Sequence, residues 1–309
     1  MRRRASLVIL VGFLTVACGP AASSEAPVVS GSATPAAASS STPAPYVADL
    51  AVDGDRTLHI VCSGPLDTGR PTVVFENGSG PSLHTWSGVI NELEATDRSC
   101  AYDRAGIGLS QAAPEPWTTQ DQVDDLATLL EAAGITGPIV LVAHSLGGWN
   151  AILYTADHPD QVVGAVLVDV LPPGLDRRLL EELPPETADE PAVIREARDS
   201  FTAFLTDPQA NPEGLQIDDS EVQVLAAPGF GDRPTEILWA TDTQLKVWPD
   251  FEPALADRLN AAIDELLRDV EGLADAPNVT RVDAGHAIQE EQPDVVVEAI
   301  RRVLDQLEP

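Results

Sequence analysis

The segment that decides the fold, residues 139–148, reads IVLVAHSLGG. Its first five residues, with Pro138 before them, are apolar without alternation, which predicts a parallel strand over Pro138–Ala143 that is buried on both faces. The glycines after Ser145 allow a sharp turn, and a helical pattern runs from Leu146 to about Asp157. We therefore predict a strand, a tight turn with Ser145 at its tip, and a helix, which is the repeating unit of an α/β fold.

The flanking sequence continues this alternation of strands and helices. An Asp-Gly pair (53–54) separates two short strands as a hairpin, and further strands follow at Thr72–Glu76, Arg98–Tyr102 and Val163–Val168. Residues 171–234 interrupt the pattern with proline-rich, acidic and partly helical sequence, which predicts an inserted cap. The alternation predicts a parallel sheet with helices on both faces, and core segments 46–170 and 235–309.

The sequence also predicts the bounds of two helices in the first core segment. The first is predicted over Leu83–Ala95. The second is predicted over Thr119–Ala133, with a capping box formed by Thr119 and Gln122 at its start and Gly134 at its end.

The residues around Ser145 have the spacing of a nucleophile on a strained turn between strand and helix. Ala143, Ser145 and Gly147 form the pattern small-x-Ser-x-small, with alanine in place of the usual first glycine. Small residues suit this turn because the helix must approach closely. A serine in such a turn is more often only a helix N-cap, so the assignment of Ser145 depends on other residues.

Two further segments supply what a serine nucleophile needs. A glycine-rich turn, Phe75–Gly80, follows an earlier strand, and it allows the amides of Ser79 and Leu146 to point at a developing oxyanion. His286 follows the last predicted strand and comes last in the order Ser, Asp, His, which makes it the candidate general base. The run Cys100–Ser110 is predicted to be a structural turn, because its glycine spacing fails the dinucleotide-binding fingerprint.

Together these segments resemble the α/β-hydrolase superfamily. The resemblance covers residues 46–309, rests on Asn77–Gly80, Tyr102–Gly106, His144–Gly148 and Gly285-His286, and is nearest to exported actinobacterial hydrolases. It implies an α/β-hydrolase fold: a mostly parallel eight-stranded sheet with helices on both faces and an inserted helical cap. It also implies that the second strand is antiparallel and lies beside the fourth.

The resemblance leaves the acid of the triad between two aspartates. The family's usual position, a few residues after the seventh strand, falls on Thr243, so Asp242 is one residue out of register. Some members carry the acid at the end of the sixth strand, where this chain has Asp169. We prefer Asp169; Asp250 ranks third.

The resemblance implies a serine hydrolase that works through Ser145, His286 and Asp169 and an acyl-enzyme intermediate, with no cofactor or metal. We expect a small-molecule acyl substrate, most simply a carboxylic ester. Amidase, aminopeptidase and carbon–carbon bond hydrolase activities are alternatives on the same fold, and a non-catalytic surface binding protein is an alternative of another class. Cap residues Phe201, Phe204, Leu205 and Phe230 are expected either to line the substrate pocket or to pack the cap onto the sheet.

The N-terminus has the pattern of an export signal. Three arginines, a short apolar run and a small residue precede Cys18, which predicts a signal peptide over residues 1–17 and lipidation of Cys18. Residues 18–45 are rich in Ala, Ser, Thr and Pro and predict a disordered tether. The expected membrane contact is through the N-terminal lipid only; a plain secretory signal cut later is the alternative.

Charge and cysteine content narrow the partners and the compartment. The formal net charge is −31, which argues against a nucleic-acid partner. With Cys18 lipidated or removed, Cys62 and Cys100 remain as an even pair in an oxidising compartment, so we expect them to be bonded. Two buried free thiols are the alternative. The neighbouring strands that the resemblance implies for these cysteines also favour the bond.

Overall fold

The structure, a computed structural model, describes residues 45–242 and 250–307. The predicted signal peptide, Cys18 and all but the last residue of the tether lie outside this part of the chain. The strands of the described residues are β1 (Tyr46–Asp53), β2 (Arg56–Ser63), β3 (Thr72–Glu76), β4 (Ser99–Tyr102), β5 (Ile139–His144), β6 (Val162–Val168), β7 (Thr235–Ala240) and β8 (Asn278–Val282).

These strands form one eight-stranded sheet in the order β1-β2-β4-β3-β5-β6-β7-β8. Strand β2 is antiparallel to both β1 and β4, and the remaining pairs are parallel. The predicted fold and the position of the second strand beside the fourth are therefore confirmed. Cys62 of β2 lies opposite Cys100 of β4, with 4.0 Å between their Cα atoms, and the structure contains the expected disulfide between them.

Helices cover both faces of the sheet. The α-helices of the described residues are α1 (Ser87–Leu93), α2 (Thr119–Ala132), α3 (Gly147–Asp157), α4 (Leu175–Glu182), α5 (Ala192–Thr206), α6 (Ile217–Leu225), α7 (Pro253–Glu271), α8 (Ile288–Glu291) and α9 (Pro293–Gln306). Leu141 of β5 packs in the same apolar core as α2 and α3, whereas its neighbours Val140 and Val142 pack with α1 and α9. This two-sided burial explains why β5 is apolar without alternation.

The prediction of one continuous helix over Leu83–Ala95 is wrong for its first turn, which is not α-helical. Residues Leu83–Trp86 make a 3₁₀ turn, and α1 begins only at Ser87. The indole of Trp86 is fully buried and donates to Asn77 Oδ1 at 2.9 Å, while the Leu83 amide donates to Asp103 Oδ1 at 2.8 Å. These tertiary contacts override the local helical pattern and draw the first turn towards the end of β3.

The capping box of α2 lies one residue earlier than predicted. Thr118 is the N-cap, and the carboxylate of Asp121 accepts its N–H at 2.7 Å. Thr119 and Gln122 are both buried, and Gln122 donates instead to Glu213 at 2.8 Å. Because Thr118 and Thr119 are adjacent, the position of the N-cap was ambiguous in the sequence, and the exposed Asp121 is the better reciprocal partner in the capping box.

The segment predicted as a cap, residues 171–234, contains α4, α5 and α6. Its Phe230 is fully buried and Leu205 is buried in the core, while Phe201 and Phe204 pack partly buried against that core. These side chains were expected either to line the substrate pocket or to pack the insertion onto the sheet, and Phe230 and Leu205 do the latter. No helix in the described ranges 45–242 and 250–307 is long and apolar enough to cross a membrane.

Candidate active site

Ser145 lies at the tip of a strained turn between β5 and α3. Its φ of 52° is in the left-handed region, which costs a residue with a side chain about 1–3 kcal/mol. The Ser145 amide donates to Val168 O at 3.3 Å, and its carbonyl accepts from Leu171 N at 3.0 Å, so the last residue of β6 and the segment that follows it fix both sides of the turn. This turn places Ser145 directly after the carboxyl end of β5.

Glycine at position 147 is required by the close approach of another segment. A Cβ at this position would lie 2.3 Å from Asn77 O, which is closer than atoms can come without a shift. The same approach holds at Gly78, where a Cβ would lie 3.2 Å from Ser145 Cβ and 2.7 Å from His144 Nδ1. The turn Asn77–Gly80, named here the oxyanion turn, therefore packs directly against Ser145.

His286 and Asp169 are brought together by the structure. His286 Nδ1 and Asp169 Oδ2 are 2.7 Å apart. Asp169 has a φ of 41° directly after β6, and its Oδ1 accepts the Ala240 amide at 3.1 Å, so both carboxylate oxygens are engaged. The Asp169 side chain is 3% exposed and that of His286 is 42% exposed, so the imidazole can meet a substrate while the carboxylate stays buried.

Asp242 and Asp250 do not take this position. The Asp242 amide donates to Ala284 O at 3.1 Å, and the residue is exposed. Asp250 is also exposed, in the turn that precedes α7. Of the three aspartates weighed from the sequence, the one in contact with His286 is Asp169.

His144, the residue before Ser145, fixes the main chain of His286. Its Nε2 lies 2.9 Å from His286 O, and the two rings have centroids 4.5 Å apart. Burial, together with the proximity of His286, lowers the pKa of His144 to about 3, so the ring is neutral. A carbonyl can only accept, so Nε2 carries the proton of His144.

Of the two predicted oxyanion donors, one is the next residue after Ser145 and the other lies in the oxyanion turn. Leu146 follows it in the chain and is buried. Ser79 follows Gly78, the residue that packs on Ser145. Among the hydrogen bonds of the described residues, none joins Ser145 to His286. Hydrogen bonds between a nucleophile and its base are often long in the absence of substrate and shorten when substrate binds.

Sequence reasoning missed a group of buried charged residues behind the oxyanion turn. Arg104, Glu76 and Glu213 are each buried and interact with one another. Burial raises the pKa of Glu76, although Arg104 opposes this, and Tyr102 Oη donates to it at 2.6 Å. Arg104 stood within a run that the sequence predicts only as a structural turn, and Glu213 had no local signal at all.

Similarity to known proteins covers most of the described chain. The model of the alpha/beta hydrolase family matches residues 73–299. The curated cis-3-alkyl-4-alkyloxetan-2-one decarboxylase of Xanthomonas campestris pv. campestris is 26% identical over 301 residues, which cover 78% of this chain and 90% of that protein. A solved esterase structure from Thermogutta terrifontis has a TM-score of 0.54 and 22% identity, and the match covers 86% of this chain and 100% of the esterase.

Other relatives match over shorter stretches. The 2-(acetamidomethylene)succinate hydrolase of Mesorhizobium japonicum is 33% identical over 136 residues, which cover 40% of this chain and 46% of that protein. Three further curated relatives, 32–36% identical, match this chain over 17–39% of their own length.

Proposed function

Because this chain belongs to the alpha/beta hydrolase family, we propose that it is a serine hydrolase that cleaves carboxylic esters through Ser145, His286 and Asp169. The contact that carries this proposal is the one between His286 Nδ1 and Asp169 Oδ2 at 2.7 Å. With its Nδ1–H donated to a buried carboxylate, the imidazole keeps the lone pair of Nε2 free to act as a base.

The first half of the reaction forms an acyl-enzyme. His286 Nε2 takes the proton of Ser145 Oγ as this oxygen attacks the ester carbonyl carbon. The amides of Ser79 and Leu146 donate to the oxygen that becomes negative, and Asp169 stabilises the imidazolium. His286 then gives its proton to the leaving alkoxide, and the alcohol departs.

Water completes the cycle. His286 takes a proton from a water molecule, whose oxygen attacks the acyl carbon, and the same two amides stabilise the second oxyanion. When this intermediate collapses, the proton returns to Ser145 Oγ and the carboxylic acid leaves.

Substrates with other scissile bonds use the same residues. Hydrolysis of an amide requires that His286 protonate the leaving nitrogen. Cleavage of a carbon–carbon bond requires a leaving group that is a stabilised carbanion. The decarboxylase and hydrolase relatives named above act on different compounds, so a panel of substrates is the direct comparison. We expect p-nitrophenyl esters of short acyl chains to be turned over and the matching anilides to be turned over far more slowly.

The test is to measure this panel with the wild-type protein and with Ser145→Ala. Ester hydrolysis that disappears in Ser145→Ala supports the proposal. Faster hydrolysis of the anilides than of the esters contradicts the ester assignment. An inert folded wild type favours the non-catalytic alternative.

Export and lipidation are part of the same proposal. The basic and apolar segment before Cys18 supports them, and the bond between Cys62 and Cys100 suits an oxidising compartment. Mass spectrometry of the mature N-terminus tests this directly. A diacylated Cys18 supports the lipid anchor, and a mature chain that begins beyond this residue contradicts it.

A further inference from the structure

The outer side of the oxyanion turn is held by a buried ion pair between the core and the insertion. Arg104 follows β4, and Glu213 belongs to the segment 171–234. Their side chains are 3% and 0% exposed. Arg104 Nε donates to Glu213 Oε2 at 2.7 Å and Nη2 donates to Oε1 at 2.6 Å, which is the bidentate geometry that fixes a guanidinium and a carboxylate in one plane.

The remaining nitrogen–hydrogen groups of Arg104 are also engaged. Nη1 donates to Asn77 O at 2.6 Å and lies 3.5 Å from Glu76 Oε2. Nη2 donates to Gly78 O at 2.7 Å as well as to Glu213. A guanidinium has five donors, so each donor of Arg104 has a partner within the protein.

Glu213 is saturated in the same way. Besides the two bonds from Arg104, its Oε2 accepts from Gln122 Nε2 at 2.8 Å and its Oε1 accepts from the Gly80 amide at 3.2 Å. A carboxylate offers about four lone-pair positions, and four donors meet it here. The pair has no donor or acceptor left for a substrate, so its effect falls on the turn that it contacts.

Those contacts determine how the backbone on both sides of Ser79 is oriented. The peptide group is planar and trans, so the Gly78 carbonyl and the Ser79 N–H lie in one plane and point in opposite directions. Arg104 holds that carbonyl on the outer side of the turn, which directs the Ser79 N–H to the opposite side. Glu213 holds the next peptide plane through the Gly80 N–H.

We propose that Arg104 and Glu213 are positioning residues that aim the Ser79 amide at the oxyanion, so that the insertion completes the oxyanion hole. The inference rests on the proposed serine-hydrolase function. It gives the insertion a role in catalysis: Glu213 must be in contact with Arg104 for the Ser79 amide to be correctly oriented. The other explanation is that the pair only fastens the insertion to the core.

Glu213→Gln and Glu221→Gln separate these two explanations. Both glutamates are buried residues of the insertion, and each is paired with an arginine, but Glu221 contacts Arg177 at 2.7 Å, away from the oxyanion turn. We would measure kcat and KM on a p-nitrophenyl ester, the inhibition constant of phenylboronic acid and Tm. Rates are expressed per active site titrated to completion with a fluorophosphonate, so that unfolded protein does not count.

We expect Glu213→Gln to lower kcat about 10- to 100-fold. One oxyanion donor contributes a rate enhancement of about 10²- to 10³-fold, and a misdirected donor loses part of it. KM should stay within about threefold, and the boronate, which mimics the tetrahedral intermediate, should bind more weakly by a factor similar to the loss in kcat. Glu221→Gln should keep kcat within about twofold. If Glu213→Gln yields no titratable sites, Glu213→Asp keeps the charge, withdraws the carboxylate by one methylene, and should show the same losses.

Three results would overturn the inference: an unchanged kcat and boronate affinity in Glu213→Gln, a change confined to KM, or equal losses in both glutamine variants. An inactive wild type that does not react with the fluorophosphonate overturns the proposed function instead, so the two failures can be distinguished.

Discussion

Replacing Asp169 with asparagine should abolish most of the activity without disturbing the fold. The carboxylate makes two contacts, with the Ala240 amide through Oδ1 and with His286 Nδ1 through Oδ2. An asparagine in the same rotamer keeps its oxygen on the Ala240 amide, because a carbonyl oxygen can accept there and an NH₂ group cannot. Its NH₂ group then faces His286.

The consequence is a change of tautomer in His286. An NH₂ group donates, so Nδ1 must accept and the ring proton moves to Nε2. Nε2 can then no longer take the proton of Ser145. We expect kcat to fall about 10³- to 10⁴-fold, which corresponds to about 4–5 kcal/mol of transition-state stabilisation.

The assay is steady-state ester hydrolysis at saturating substrate, with Tm measured on the same samples. Asp242→Asn is the matched control, because the contact given above for Asp242 is made by its backbone amide, and this variant should keep kcat within about twofold. A kcat for Asp169→Asn above a tenth of the wild-type value, or the large loss in Asp242→Asn, would refute the assignment of the acid.

Three further outcomes are expected from changes around the site. His144 keeps a pKa of about 3 when folded and 6.5 when unfolded, so only the unfolded chain takes up this proton as the pH falls from 6.5 towards 3. Between about pH 7 and pH 5, the free energy of unfolding in urea should fall by about 2 kcal/mol more for the wild type than for His144→Gln, and equal falls would contradict this. Gly147→Ala, which drives a Cβ into Asn77 O, should lower kcat at least about tenfold and the free energy of unfolding by about 1–3 kcal/mol. Gly137→Ala has open space and should change neither, so similar effects in both would argue against the close approach. Replacing both cysteines of the disulfide, which are 38 residues apart, with serine should lower the free energy of unfolding by up to about 4 kcal/mol, and an unchanged urea midpoint would contradict this.

The parts of the fold that follow from short-range pattern were predictable from the sequence. β3 has the predicted bounds, and β5 and β6 differ from theirs by a residue at one or both ends, because apolar runs bounded by turn residues specify buried strands. α2 begins at Thr119 as predicted, but its capping box was missed by one residue, since two adjacent threonines are equally good caps and only the reciprocal bond of Asp121 distinguishes them.

The site was less predictable because its contacts are distant in sequence. Asp169 and Asp242 each follow a parallel strand at the same edge of the sheet, so their local sequences do not distinguish them. The left-handed backbone of Asp169, which turns its carboxylate towards His286, has no signature in the residues themselves. Glu213 is separated by 109 residues from Arg104, and a glutamate in an acidic, proline-rich segment is indistinguishable from a solvated one.

The most direct test of the central claim is to find which residue a fluorophosphonate modifies. The wild-type protein should take up one probe per chain, tandem mass spectrometry should locate it on Ser145, and Ser145→Ala should take up none. Modification of a different residue, or equal labelling of wild type and Ser145→Ala, would contradict the identification of Ser145 as the nucleophile.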